Sequence, residues 1–363
     1  MIATASPPAP RVDPGPQQLF IDNEFVPTAE AYDVVNPATE EVVGSAPDGG
    51  AEPVKAAVAA ARDAFPAWST TPAGERARLI HALADLLQSR AGEFVPLVQA
   101  ETGATMKVAR DLQVGQALPR LRRYARGALE SREVPIQPQE TEASAKAPGD
   151  LVGAVVHRAP VGVVAAITSY NFPLTNMAGK VAPALAMGNT VVVKPAPQDP
   201  LAVFKFAELV RDVGFPPGVF NVVNSAGAAA GEALVAAPEV DMVSFTGSTA
   251  VGRSIGSVAG GAMTRLLLEL GGKGAAIVFE DADLRQAVRG IGGTWAFHSG
   301  QICTAPTRVL VQRSIHDDVV AALTEFARRL PVGDPLDDRT VVGPVISARQ
   351  RDRIEGYVAS ARD

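Results

Sequence analysis

The chain has 363 residues, enough for two or three domains with sizeable cores. Apolar residues make up 47% and charged residues 20%, a globular balance that excludes a disordered chain, a collagen and a coiled coil. The formal charge of −6 is spread along the chain without blocks, so neither nucleic acid nor an anionic membrane surface is expected as a partner. A small molecule is the expected ligand.

The only cysteine, Cys303, permits no internal disulfide and no thiolate zinc cluster. Neither an HExxH motif nor a pair of cysteines is present, so no metal is expected. Residues 1–16 lack the basic start and apolar block of a signal peptide, and no apolar run approaches the ~20 residues of a membrane helix. We therefore expect a cytoplasmic protein with one free thiol.

A short hairpin followed by helices is predicted for the first third of the chain. Residues 19–26 alternate apolar and polar around Asp22-Asn23, which predicts the hairpin. Apolar residues at three- and four-residue spacing predict helices over 54–65, 72–87 and 94–129. Residues 131–150 are rich in proline and scattered charge, and their composition leaves open a linker or an extended arm.

From Leu151 the pattern changes to short β-branched runs separated by helix-length segments. These runs predict strands over 162–167, 190–193, 219–223, 242–245 and 266–270. The spacing indicates βαβ crossovers, and hence a parallel sheet with helices on both faces. After Gly271-Gly272 a second series begins, which indicates another domain. It comprises predicted strands over 275–279 and 308–311 and predicted helices over 284–298 and 316–330.

Ligands of open α/β sheets gather at the carboxyl ends of the strands. Asn171 follows the first strand of the sheet and precedes Pro173 by two residues. It can donate to an oxyanion or simply cap the next helix. Lys194 ends the second strand, where it can bind a ribose hydroxyl or a phosphate or remain solvated.

A glycine-rich turn lies in the segment MVSFTGSTAVG, residues 242–252. Gly247 allows close backbone approach, and Ser248 with the N–H groups beyond it can hold a phosphate at a helix start. Such turns are common, so this indication is weak by itself. The patterns GxGxxG and GxxxxGK[ST] are absent, which argues against an ordinary Rossmann dehydrogenase and a phosphate-loop NTPase.

Glu269 ends an apolar strand just before a double glycine. Desolvation is expected there and suits a general base, although a salt bridge to a nearby lysine would also explain the acid. Cys303 follows a predicted helix, and its polar neighbours favour an accessible nucleophile over a buried, inert thiol. The five-residue spacing from His298 does not place the two side chains on one helical face, which disfavours a Cys–His dyad.

The segments YNFP, VVVKPA, FTGSTAVG, LELGGK and GQICTA, with DVVNPATEEV near the start, occur in the order of the aldehyde dehydrogenase signatures. The chain resembles that superfamily over nearly its whole length. The resemblance implies an α/β fold with a variant Rossmann-type dinucleotide-binding domain over 17–130 and 151–270. It further implies an oligomerisation arm over 131–150, an incomplete α/β catalytic domain over 271–363, and a homodimer or homotetramer.

The resemblance also implies NAD(P)-dependent oxidation of an aldehyde to a carboxylic acid. Cys303 would attack the aldehyde, and the Asn171 side chain with the Cys303 N–H would hold the oxyanion. Glu269 would activate water to hydrolyse the thioester. Lys180 matches a family lysine that assists proton movement, and a solvated helix charge would explain it as well.

The implied cofactor is NAD or NADP. The residues implied at its site are Ile167, Thr168, Lys194, Pro197, Gly227, Phe245, Thr246, Gly247, Ser248, Val251 and Leu270. Pro197 stands where many NAD-preferring members have a glutamate that binds the ribose hydroxyls, so NADP stays open. Ser225 replaces a glycine common before Gly227, and Ser169-Tyr170 replace a frequent Pro-Trp.

Two alternatives remain. In a CoA-acylating relative CoA would resolve the thioester, although such enzymes usually lack an acid at the position of Glu269. The second alternative is a catalytically inactive fragment that only binds cofactor or partner chains. The sequence stops at Asp363 within a helix predicted from about Ser347, whereas family members continue with a Glu-Xaa-Phe-Gly-Pro segment. The aldehyde is not identified, but its tunnel is expected to include Phe172 and Met177.

Overall fold

The structure is a computed structural model that describes residue 15 and residues 17–131 and 133–362. Its strands are β1 (Leu19–Ile21), β2 (Glu24–Val26), β3 (Glu30–Val35), β4 (Val42–Asp48), β5 (Glu133–Thr141), β6 (Asp150–His157), β7 (Val163–Ile167), β8 (Thr190–Lys194), β9 (Phe220–Val222), β10 (Met242–Gly247), β11 (Arg265–Leu270), β12 (Ala275–Val278) and β13 (Arg308–Val311).

Its helices are α1 (Glu52–Thr70), α2 (Ala73–Ser89), α3 (Ala91–Thr102), α4 (Met106–Val108), α5 (Gly115–Gly127), α6 (Pro173–Ala186), α7 (Leu201–Val213), α8 (Ala229–Ala236), α9 (Thr249–Gly261), α10 (Leu284–Ala296), α11 (His316–Arg328) and α12 (Ala348–Ser360). A π-helical turn, Ala109–Val114, joins α4 to α5. Short 3₁₀ turns cover Phe297–Gly300 and Arg313–Ile315.

Seven strands form the main sheet, in the order β11-β10-β7-β8-β9-β1-β2. The neighbours from β11 to β9 are parallel, and β1 joins β9 antiparallel. Every residue of β7 and β8 is buried, as expected of apolar parallel strands covered on both faces. Helices α1 and α8 pack together against the sheet, as do α6 and α7, behind which α2 lies. The predicted α/β class, hairpin and parallel sheet are confirmed.

The long helix predicted over 94–129 is interrupted. Gly103 adopts a left-handed conformation with φ of 66° and ends α3. Thr105 then caps α4 by accepting a hydrogen bond from the Val108 N–H. Glycine is suited to this C-terminal position because it has no Cβ to oppose a positive φ. The apolar spacing continues across the break, which explains why the pattern alone predicted one helix.

Strands β5 and β6 form a separate antiparallel hairpin whose residues are exposed on both faces. Its register shifts between Ile136 and Gln139, where Pro138 has no N–H to donate. The hairpin reaches His157 and so includes residues on both sides of the predicted arm boundary at residue 150.

A smaller unit follows the main sheet. Strands β12 and β13 pair in parallel, α10 connects them, and α11 packs on α10. Val278, Ile291 and Val319 form its buried cluster, separate from the large core around the main sheet. Asp283 and Ser347 cap α10 and α12 by accepting hydrogen bonds from backbone N–H groups.

The described helices are each too short or too polar to span a bilayer. Across the same residues, no three histidine, cysteine or acidic side chains are grouped so as to hold a metal ion.

Candidate active site

The sheet register brings the predicted site residues into one row at the carboxyl ends of four parallel strands. Ile167 of β7 lies opposite Lys194 of β8 on one side and Phe245 of β10 on the other. Across the next pair, Thr246 of β10 lies opposite Glu269 of β11. Residues more than a hundred positions apart in the sequence therefore share one edge of the sheet.

The part of this edge formed by β7 and β8 carries buried polar groups. The Thr168 N–H donates to the Lys194 carbonyl at 3.1 Å, which continues the β7–β8 pairing beyond the last strand residue. The Thr168 hydroxyl is buried and has no partner among the described residues. Burial lowers the pKa of Lys194 to about 8, opposed by the attraction of the buried Asp199 carboxylate. An unpartnered hydroxyl and a buried cation on neighbouring strands suit a polar ligand.

The glycine-rich turn contributes a bare stretch of backbone. A Cβ at residue 247 would collide with the ring of Phe245, which is buried. Glycine is therefore required at residue 247 because the Phe245 ring occupies the space of a side chain there. Ser248 caps α9, and its hydroxyl accepts the Val251 N–H at 3.3 Å. Leu270 packs against Gly252 of the same helix.

The remaining predicted cofactor residues flank this edge. Pro197 lies half-buried in the turn after β8. Gly227 is exposed before α8, and its carbonyl accepts the Ser225 hydroxyl at 2.9 Å. The same hydroxyl accepts the Ala230 N–H at 3.1 Å, so Ser225 closes the turn at the start of α8.

Asn171 joins the sheet edge to the loop that bears the thiol. Its Nδ2 donates to the Gln301 carbonyl at 2.8 Å, two residues before Cys303. Cys303 is exposed, and its N–H donates no hydrogen bond to a described residue. Gly272, just beyond β11, also faces this loop, since a Cβ there would lie 3.9 Å from the Cys303 carbonyl oxygen. The structure thus gathers the predicted nucleophile and oxyanion donor.

Glu269 lies at the same edge but is exposed, so the expectation that it is desolvated is wrong. The reason is that β11 is an edge strand, paired with β10 alone, and its outer face carries no cover from the described residues. Lys180 is the desolvated group instead. It is buried, donates to the Ser244 hydroxyl at 3.0 Å, and has its pKa lowered to about 8 by burial, against the opposing attraction of Glu269.

His298 contacts Asn171 rather than the thiol. Its Nε2–H donates to the Asn171 carbonyl oxygen at 2.9 Å, and the Gln113 side chain donates to the same oxygen at 3.1 Å. Burial lowers the pKa of His298 to about 4, so the ring is neutral at pH 7. Sequence reasoning considered His298 only as a partner of Cys303 and overlooked Gln113. The backbone dihedral angles of His298 are left-handed, which no sequence pattern indicates.

Apolar rings border the thiol loop. Phe172 stacks on Phe297 at 6.1 Å between centroids and lies 5.2 Å from the His298 ring. Met177 is wholly buried in the main core, so the expectation that it lines the substrate tunnel is wrong. Helix α6 turns this residue toward the sheet rather than toward the loop.

Comparison with known proteins identifies the family of this chain. The sequence profile of the aldehyde dehydrogenase family matches residues 25–363. The chain belongs to the aldehyde dehydrogenase family. It is 39% identical to phenylacetaldehyde dehydrogenase from Pseudomonas fluorescens over 348 residues. The matched region covers 94% of this chain and 68% of that protein. The chain thus spans about two thirds of the length of this relative.

Solved aldehyde dehydrogenases share the fold. Betaine aldehyde dehydrogenase from Staphylococcus aureus, in complex with NAD⁺, superposes with a TM-score of 0.87 at 33% identity over 95% of this chain and 67% of that one. A mutant of aldehyde dehydrogenase C from Pseudomonas syringae, with NAD⁺ and octanal, gives a TM-score of 0.85 at 38% identity over 94% and 68%. As a member of this family, the chain is an NAD(P)-dependent aldehyde dehydrogenase that oxidises an aldehyde to an acid.

The aldehyde dehydrogenase strand ends fit a dinucleotide. The buried hydroxyl of Thr168 lacks a partner among the described residues. Thr168 directly follows Ile167, which lies opposite Lys194 in the sheet.

Proposed function

We propose that Cys303, Asn171, Glu269 and Lys180 carry out the aldehyde oxidation. The observation that supports this most directly is the hydrogen bond from the Asn171 side chain to the Gln301 carbonyl. It ties the segment after β7 to the loop with the one cysteine of the chain, and Glu269 ends β11 at the same edge of the sheet.

In the proposed reaction the Cys303 sulfur loses its proton, which Glu269 helps to pass to solvent, and then bonds to the carbonyl carbon of the aldehyde. The carbonyl oxygen takes up negative charge beside the Cys303 N–H and the Asn171 Nδ2, donors already in place before the charge develops. Bound NAD(P)⁺ supplies the acceptor for the hydride that leaves this carbon. A thioester on Cys303 results.

Thioester hydrolysis restores the enzyme. Glu269 takes a proton from a water molecule, whose oxygen bonds to the acyl carbon as the C–S bond breaks, and the carboxylic acid leaves. The exposure of Glu269 gives water direct access to it. Lys180 suits transfer of the proton onward, because burial brings its pKa to about 8 and places its exchange near neutral pH.

For the cofactor, we propose that Lys194 binds the adenosine ribose and that the backbone around Gly247 and Ser248 binds the pyrophosphate. Ile167, Thr168, Phe245 and the other residues named for this site would complete its walls. Residues 17–130 and 151–270 then form the cofactor-binding domain, and residues 271–363 carry the nucleophile. NAD and NADP both remain candidates because Pro197 supplies no acidic side chain to the ribose.

Glu269→Gln tests the mechanism. Mixed rapidly with NAD⁺ or NADP⁺ and a panel of aldehydes, this variant should release one equivalent of reduced cofactor per site and then turn over at least about a hundredfold more slowly than the parent protein. Cys303→Ala is the matched control and should give neither burst nor turnover. Unchanged steady-state turnover in Glu269→Gln would remove Glu269 from the reaction.

The same assay separates the alternatives. Product formation that requires CoA would indicate the acylating reaction instead. If the 363-residue chain itself shows no aldehyde-dependent cofactor reduction but still binds cofactor, it is a binding fragment. Multiple turnovers would exclude that fragment hypothesis.

We further propose that the β5–β6 hairpin mediates homodimer or homotetramer formation in the cytoplasm. Its exposed apolar side chains support this, because lone hairpins rarely leave such residues to solvent. They are Val134, Ile136, Leu151, Val152, Val155 and Val156. The single cysteine supports a reducing compartment.

A further inference from the structure

The orientation of the Asn171 side-chain amide is set by its contacts. The Gln301 carbonyl can only accept a hydrogen bond, so the group that faces it at 2.8 Å has to be the Nδ2 donor of Asn171. The Oδ1 atom must then point the other way. A rotated amide would put two acceptors against each other in the thiol loop.

Two neighbouring side chains hold the Oδ1 end. The Ser169 hydroxyl donates to Asn171 Oδ1 at 2.8 Å. The Asn176 amide donates to the Ser169 oxygen at 2.9 Å and to Asn171 Oδ1 at 3.4 Å. Ser169 lies in the loop after β7, and Asn176 lies in the first turn of α6, where its N–H already donates to the Phe172 carbonyl.

The donors and acceptors of this group match completely. The two hydrogens of Asn176 Nδ2 are donated to two acceptors, the Ser169 oxygen and Asn171 Oδ1. The single hydroxyl hydrogen of Ser169 is donated to Asn171 Oδ1. Rotation of the Asn171 amide would turn its NH₂ toward the Asn176 NH₂ and leave a hydrogen of Ser169 or Asn176 unpaired. Because all three residues are partly buried, water cannot easily replace the lost partners.

We propose that Ser169 and Asn176 are positioning residues that keep the Asn171 Nδ2 aimed at the thiol loop, an inference that rests on the proposed oxyanion role of Asn171. Neither contacts the reacting atoms. A donor fixed in advance stabilises developing charge without reorganisation, so its alignment sets the rate of acylation rather than the affinity for the aldehyde.

The test is the rate of the burst of reduced cofactor, which reports acylation. Asn171→Ala should slow it about 100-fold, the effect of losing one oxyanion donor. Ser169→Ala and Asn176→Asp should each slow it about tenfold with KM little changed, and Ser169→Thr, which keeps the hydroxyl, should restore the rate. Alkylation of Cys303 by iodoacetamide, which forms no oxyanion, should proceed at the parent rate in all four variants.

The deciding measurement adds Ser169→Ala to Asn171→Ala. With no amide left to orient, the serine change should slow the burst no further. A further tenfold loss in that background, or no loss from Ser169→Ala alone, would overturn the positioning role while leaving the oxyanion role intact. A normal burst in Asn171→Ala would instead reject the oxyanion role itself. Circular dichroism and thermal unfolding of each variant show that it is folded, and Asn176→Asp provides an independent test of the group should Ser169→Ala not fold.

Discussion

The main sheet and the thiol-bearing unit are built very differently. The first has strands buried on both faces within one large core, whereas the second has a two-stranded sheet with Ile277 63% and Leu310 54% exposed. The main sheet therefore has its own stability, and the thiol-bearing unit depends on hydrogen bonds to it and to residues 335–346.

Those ties converge on the thiol loop. The Gln301 carbonyl accepts a hydrogen bond from the Asn171 side-chain amide, and the Gln301 side-chain oxygen accepts one from the Ile346 N–H. Ser299 donates to the Gly343 carbonyl at 2.8 Å. A loop held from both sides can present an exposed thiol without a large core of its own. The thiol loop is thus positioned by hydrogen bonds across the two units rather than by burial within one.

The largest expected effect is a difference in core substitutions. Phe204→Ala, in the main core, should lower the free energy of unfolding by about 3–5 kcal/mol because it leaves a cavity that dense packing cannot fill. Ile291→Ala, in the small cluster, should cost about 2 kcal/mol, the low end of the range for such a change, since its neighbours are partly exposed and can relax.

The two tryptophans of the chain allow each unit to be followed separately. Trp68 is buried in the main core, and Trp295 lies on α10. In Trp295→Phe the fluorescence of the remaining Trp68 reports urea unfolding of the first unit. In Trp68→Phe the fluorescence of Trp295 reports unfolding of the second unit. We expect the second unit to unfold at lower urea. Coincident transitions and equal losses for Phe204→Ala and Ile291→Ala would contradict the difference between the units.

A pH effect is expected next, from the buried carboxyl of Glu101. It accepts hydrogen bonds from the Leu201 and Ala202 N–H groups at the start of α7, and burial raises its pKa from 4.5 to about 8. Burial and the nearby Glu101 also hold the pKa of Asp199 well above its usual range. The folded state thus retains protons that the unfolded chain loses above pH 4.5, so stability should fall as the pH rises from about 5 to 8.

Glu101→Gln should flatten this dependence in urea titrations between pH 5 and 8, because the variant has no proton to release at that position. Lys194, whose pKa burial lowers to about 8, begins to lose its proton only at the top of this window, and its effect has the opposite sign. Glu232→Gln, an exposed glutamate of α8, is the matched control and should leave the slope as it is. The same slope in Glu101→Gln and the parent protein would show that Glu101 is ionised in the folded state.

The smallest effect concerns the cofactor edge. Ser248→Ala removes the cap of α9 and should cost about 1 kcal/mol in stability, seen as a lower Tm. Ser257→Ala, an exposed serine within the same helix, should leave Tm nearly unchanged or raise it slightly. Equal shifts in the two variants would mean that the Ser248 hydroxyl does not stabilise the helix start.

Much of the architecture could be predicted from local pattern. The apolar runs predicted β7, β8, β10 and β11 to within a residue or two. For β7 and β8, which are buried on both faces, burial requires such a continuous run. The motifs around Asn171, Lys194, Gly247 and Cys303 predicted the candidate site. The sequence pattern did not predict the break at Gly103 because the apolar spacing continues across it without change.

What the sequence by itself determined is the set of chemical groups, the strands that carry them and the family, since these follow from residue type, period and order. Only the tertiary structure decided which group is desolvated. Glu269 is exposed because its strand lies at a sheet edge, while Lys180 is buried because α6 packs on the sheet. Burial, and the partners of a side-chain amide such as that of Asn171, depend on elements far apart in sequence, so no local pattern contains them.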